Sequence, residues 1–86
     1  MATISREFLM GVVFSTDPNR YATINGMLPE KTIFDVNELN SIFRYALSCQ
    51  VTDNTQAARS HLYDPDEPLY WIETFRQYVL PALTIR

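Results

Sequence analysis

Phe34-Asp35-Val36-Asn37-Glu38-Leu39 is the stretch that decides the fold. Asp35 stands where a carboxylate can accept the first backbone N–H groups of a helix, and Glu38, three residues on, is placed to reach back and complete a capping box. Phe34, just outside the cap, is placed to pack on Leu39 as a hydrophobic staple. These six residues predict a helix that begins at Val36. Its continuation carries Leu39, Ile42, Phe43, Ala46 and Leu47, an apolar stripe at spacings of three and four, and predicts an end near Ser48 or Cys49. That stripe is the candidate centre of the core.

Upstream, residues 27–32 contain Pro29 and no periodicity, which predicts an irregular connection with residues 32–34 as a brief extended stretch. Asp17-Pro18 reads as a helix start, an acid at the cap and proline at the first helical position, and Asn25-Gly26 reads as the stop of that short helix. Residues 4–14 place Ile4, Phe8, Leu9, Val12 and Val13 at helical spacing and are read as helix, although Gly11 and the Val12-Val13-Phe14 run also suit a strand. Downstream, Thr52 or Asp53 caps a further short helix to about Leu62, Tyr63-Asp64-Pro65-Asp66 is a turn by composition, and Asp66 or Glu67 starts the last helix. Between residues 68 and 80 that helix places Leu69, Ile72, Phe75, Val79 and Leu80 on one face, Pro81 ends or kinks it, and residues 82–86 are left as a tail. Five helical pieces predict a mostly α fold, a small irregular helical bundle. The alternative is α+β with a short edge strand near residues 32–34.

Eighty-six residues, 47% of them hydrophobic and 13% aromatic, are enough for one core and too few for two, so residues 1–86 are expected to form a single folded domain. Cys49 is the single cysteine and His61 the single histidine, so an intramolecular disulfide is ruled out and the pair cannot supply a zinc site. No run approaches the roughly 20 apolar residues of a membrane span, and residues 1–6 lack the basic-then-apolar pattern of a signal peptide; cytoplasmic residence is the expectation. Ten acids against seven bases give a net charge of −3 with no basic cluster. That balance disfavours nucleic-acid binding, which needs Lys and Arg to neutralise phosphates, and is compatible with a basic protein partner.

Histidine is the usual general acid or base near neutral pH, and His61 has Ser60, Asp64 and Asp66 as sequence neighbours. Adjacent helical residues point in different directions, so Ser60-His61 reads as the end of a short helix rather than a nucleophile beside its base. Cys49 has no base among Leu47, Ser48, Gln50 and Val51 to activate its thiol and reads as a small buried hydrophobe. Asp64, Asp66 and Glu67 have a DxD spacing that suits a hard cation, but the glycine and the ligand count of a calcium loop are missing, and turn formation with helix capping accounts for all three. No catalytic centre, metal or cofactor is expected.

Ala46-Leu47-Ser48-Cys49-Gln50-Val51-Thr52, followed by residues 53–61, resembles a DNA-binding helix-turn-helix, with alanine in the first helix, a turn, and Val-Thr before the second helix. The resemblance departs from the pattern at Gln50, where glycine is usual, and at Gln56, where an apolar anchor is usual. Arg59 is the second helix's one base.

The last helix has more apolar surface than a single core-facing stripe needs. With Leu69, Ile72, Phe75 and Val79 turned inward, Tyr70, Trp71 and Tyr78 are left around its sides with Arg76 among them, and these residue types are enriched at binding hot spots. Asp64, Asp66 and Glu67 lie close in sequence as rim charges. These seven are the candidate protein-binding residues. Small size, acidity and the lack of a catalytic set predict a non-enzymatic protein-binding module, an inhibitor or regulator that covers a partner's surface, of the type of immunity proteins and of phage or mobile-element inhibitors. The alternatives are a self-associating assembly subunit, a homo-oligomer packed through the aromatic helix, and a helix-turn-helix DNA-binding regulator.

Overall fold

A computed structural model describes residues 2–50, 53–62 and 67–83. Asp35 caps a helix there: its Oδ1 accepts the Asn37 N–H at 2.9 Å, and α3 (Val36–Ser48) follows directly. Glu38 does not close the expected box; its carboxylate takes the Lys31 ammonium at 2.7 Å instead. Phe34 and Leu39, the two sides of the staple, are both buried.

Residues 4–14 do not form one element, which corrects the reading of this stretch as a helix from Ile4. Thr3 and Ile4 are extended in β1 (Thr3–Ser5), paired antiparallel with β2 (Ile33–Asp35) in the register Thr3 to Asp35, Ile4 to Phe34 and Ser5 to Ile33. β-branched side chains favour that pleat, and the central pair, Ile4 and Phe34, points into the core. Ser5 then ends the strand by capping, its Oγ accepting the Phe8 N–H at 3.1 Å, and α1 (Arg6–Thr16) begins one residue later. Both strands thus run straight into a helix through a capping side chain. The expected extended stretch at residues 32–34 is present one residue downstream.

Asp17 accepts the Asn19 N–H at 3.2 Å and starts a 3-10 turn (Pro18–Arg20) that leads into α2 (Tyr21–Met27). Asn25-Gly26 does not stop this helix, because Gly26 takes no left-handed conformation. The chain leaves α2 through Leu28, whose extended backbone is the one favoured before a proline, here Pro29.

α4 (Asp53–Ser60) is followed by a turn at His61, so it ends two residues before Leu62. Glu67 caps α5 (Pro68–Thr74), accepting the Leu69 N–H at 3.2 Å, and the helix continues as a π turn (Phe75–Val79) and a 3-10 turn (Leu80–Ala82) rather than as one α-helix to Leu80. Pro81 has no N–H to donate and its ring opposes the carbonyl four residues back. One turn earlier the ladder already widens, with Leu80 N–H reaching the Phe75 carbonyl five residues back, so that Phe75, Val79 and Leu80 all face inward. Ala82 and Leu83, expected in the tail, pack on the core, and Arg20 Nε donates to the Leu83 carbonyl at 3.0 Å. The Thr52 cap, the turn at residues 63–66 and the last three residues lie outside the described residues.

The result is a mostly α bundle of five helices, among the described residues, with one short two-stranded antiparallel sheet. A hydrophobic cluster draws on every one of these elements. At its centre Phe43 of α3 meets Trp71 and Phe75, with ring centroids 6.3 and 4.8 Å away, and Trp71 stacks on Phe75 at 5.4 Å.

Candidate functional site

Of the seven residues expected to bind a partner, Trp71 requires correction. It is 1% exposed, whereas Leu69, expected in the core, is 60% exposed. At 100° per residue Leu69 and Trp71 stand about 160° apart on the helix, so only one of them can face α3. The larger ring wins, and its N–H, which would otherwise resist burial, donates to Asn40 Oδ1 at 2.7 Å. Tyr70 and Tyr78 remain exposed. Arg76 is also exposed and pairs with Glu73 at 2.8 Å, one turn back on the same helix. Glu67 serves as the helix cap, and Asp64 and Asp66 lie outside the described residues.

The groups considered for catalysis are not brought together. The His61 ring lies flat on Tyr78, with centroids 3.9 Å apart and an interplanar angle of 11°. The Ser60 hydroxyl donates to the Ala57 carbonyl of its own helix at 2.6 Å. Cys49 is exposed, correcting its reading as a buried hydrophobe: two positions past Leu47 it falls on the far side of α3 from the apolar stripe. Among the described residues no three His, Cys, Asp or Glu side chains converge to hold a metal ion. In the segment that resembles a helix-turn-helix, Arg59 of α4 is half-buried, and the Arg44 guanidinium of α3 donates to the Leu62 carbonyl. No helix among the described residues is long and apolar enough to cross a membrane.

Two apolar surfaces were not anticipated from the sequence. The first is a groove along α1. Glu7, Met10, Gly11 and Phe14, at spacings of three and four, line one side, and Pro18, Tyr21 and Ala22 line the other, enclosing a hollow of about 570 Å³. Phe14 is 62% exposed and meets the Tyr21 ring edge-on at 6.0 Å. A second hollow of about 430 Å³ shares Glu7, Met10 and Tyr21 and reaches Thr32 and Ile33, so the two adjoin. The second surface lies on α3, where Ile42, Tyr45 and Ala46, with Met27, line a hollow of about 550 Å³, and Tyr45 is 74% exposed. A signal for the groove existed: within α1 the core takes Leu9, Met10 and Val13, which leaves Glu7, Gly11 and Phe14 exposed in the 7, 10, 11, 14 row, with Met10 alone turned inward.

Compared with protein-family models, curated protein sequences and solved structures, the chain has no match. These surfaces therefore carry the functional reading by themselves.

Proposed function

We propose that this chain is a small acidic, non-enzymatic protein-binding module that inhibits or regulates a partner by covering part of its surface. One observation carries the reading: six of the nine Phe and Tyr side chains among the described residues, Phe8, Phe14, Tyr21, Tyr45, Tyr70 and Tyr78, are exposed. Aromatic residues supply most of the contact energy in protein interfaces, and scattered single exposures need no explanation, but three of the six, Phe14, Tyr21 and Tyr45, gather with Met and Ile around preformed hollows. The net charge of −3 favours a partner with a basic surface.

The self-association reading is supported by one feature. The α3 surface of Met27, Ser41, Ile42, Tyr45 and Ala46 contains no charged side chain, and copies of an acidic chain repel one another least across such a face.

A photo-crosslinking amino acid placed singly at Phe14, Tyr45, Tyr70 and Tyr78, with Glu30 as a control, tests both readings in the cells that make the protein. The expected result is one discrete adduct with a different polypeptide from at least one aromatic position and none from Glu30. An adduct of twice the chain mass from Tyr45 alone would favour the assembly reading. No adduct from any aromatic position would overturn the proposal.

A further inference from the structure

The α1 groove carries features that the fold itself does not require. Gly11 sits in the middle of α1, where glycine costs about 1 kcal/mol relative to alanine. Neither of the usual reasons for glycine applies: its backbone is not left-handed, and a Cβ built there would meet nothing within 4 Å. What Gly11 does is keep the floor of the larger hollow open between Phe14, Pro18 and Tyr21.

Glu7 is the second such feature. It lines both hollows, is exposed, and makes no ion pair among the described residues. Arg6 lines the smaller hollow beside Glu7, but its guanidinium is held by the α2–β2 connection and makes no ion pair with Glu7. Arg6 donates to Asn25 Oδ1 at 2.7 Å, to the Asn25 carbonyl at 3.1 Å and to the Pro29 carbonyl at 2.7 Å. In the larger hollow Glu7 is the one charged lining residue. An apolar trough with a single unpaired carboxylate at its centre is complementary to apolar side chains flanking one cation.

The groove also selects the form of its occupant. From Phe14 back to Glu7 it follows about 10 Å of α1, two helical turns, and the smaller hollow beyond Glu7 reaches Thr32 and Ile33. Its walls are side chains, and a three-residue strand offers too short a backbone edge for strand addition. A helix satisfies its own backbone and presents side chains at spacings of three, four and seven, which suits a trough of this length.

We propose that the groove between α1 and residues 18–22 is the docking site for an amphipathic helix of a partner protein, which seats two or three apolar side chains against Met10, Phe14, Tyr21 and Ile33 and sets one Lys or Arg on Glu7. This inference rests on the reading of the chain as a protein-binding module and names the site and the chemistry of the partner.

The test is selection of random peptides of about 16 residues, displayed on phage, against the full wild-type chain, with synthetic copies of the enriched peptides measured by fluorescence anisotropy and mapped by amide chemical shifts. Enriched peptides are expected to carry apolar residues at helical spacing with a Lys or Arg between them, and to shift amides of residues 7–22. Gly11→Leu, which fills the trough from open space, should abolish binding while the melting temperature holds or rises. Glu7→Lys should weaken binding about tenfold or more, and exchanging the peptide's base for Glu should restore it; that rescue separates a contact from the help a first-turn carboxylate gives its own helix. Phe14→Ser should weaken binding without loss of fold, and Tyr45→Ser should leave it unchanged. Peptides that map to Tyr70 and Tyr78 or to Tyr45 would overturn the groove assignment and leave the binding-module reading standing. Acidic or non-helical binders in the groove, self-association abolished by Phe14→Ser, or no enriched peptide at all would also overturn it.

Discussion

Trp71 Nε1–H donates to Asn40 Oδ1 across 2.7 Å of core, so the last helix and α3 are joined by a buried hydrogen bond as well as by ring packing. A buried donor deprived of its acceptor costs about 1–3 kcal/mol, because its desolvation is no longer offset. Asn40→Leu, close to the original volume, should therefore lower stability by about that amount. Trp71→Phe should lower it as well, and the double variant should lose clearly less than the sum of the two, a coupling of about 0.5–3 kcal/mol. Urea denaturation of the four proteins measures the cycle, and strict additivity would mean that the bond contributes nothing.

The same burial separates Trp71 from its tyrosine neighbours. Trp71→Ala removes the hub of the aromatic cluster and should cost about 3–5 kcal/mol. Tyr70→Ala, on the solvent side, should change stability by about 0.5 kcal/mol at most. Tyr78→Ala loses its stack on His61 and should cost about 0.5–1.5 kcal/mol. Affinity and stability measured together on the three variants decide what the last helix does in binding: a defect from Trp71→Ala should track unfolding, whereas one from Tyr70→Ala or Tyr78→Ala should exceed it.

Asp35→Ala should cost about 0.5–2 kcal/mol through loss of the Asn37 cap, and Ser5→Ala should do the same for α1. Phe43→Ala, by contrast, should cost about 3–5 kcal/mol. Thermal or chemical melts of the three proteins check the ranking, and an Asp35→Ala protein as stable as the wild type would show that the cap is satisfied by water alone.

Asp35 was legible because its signal is local: a capping residue, a staple and a stripe that all agree within six residues. Ser5 is the same device, but it was hidden because Ile4, which belongs to the strand, also fits the helical spacing that follows. Only β2, nearly thirty residues away, decides between the two. The choice between Leu69 and Trp71 is likewise non-local, since both lie on credible faces of α5 and the acceptor that makes Trp71 the inner one is Asn40 on α3. Leu80 is buried as its place on the apolar stripe predicts, but it gets there through a π turn that the stripe does not announce. The groove escaped for a related reason: hydrophobic periodicity marks what a helix buries, and the residues that make a groove are those at the edge of that stripe, whose exposure depends on where α2 crosses α1.

Arg6 supplies the last prediction, because one side chain fixes the whole connection between α2 and β2. Its guanidinium donates to Asn25 Oδ1, to the Asn25 carbonyl and to the Pro29 carbonyl, while its backbone N–H extends the sheet to the Thr32 carbonyl at 2.8 Å. Residues 28–32 carry little regular hydrogen bonding of their own, the Lys31 N–H to Pro29 carbonyl bond at 2.8 Å being the exception. Lysine keeps the charge but has one ammonium in place of a planar fork, so it cannot serve both Asn25 and Pro29. Arg6→Lys should lower global stability by about 1 kcal/mol, since the site is partly exposed to water. Its local effect should be larger. Amide exchange at Asn25, Leu28, Lys31 and Thr32 should accelerate about tenfold or more beyond the global change, while Phe43 and Leu47 in α3 follow global unfolding. Thr32 and Ile33 line one end of the α1 groove, so the same variant should weaken any ligand seated there, with Glu7 and Phe14 untouched. Uniform acceleration across all amides would show that Arg6 stabilises the fold as a whole and does not hold this connection in place.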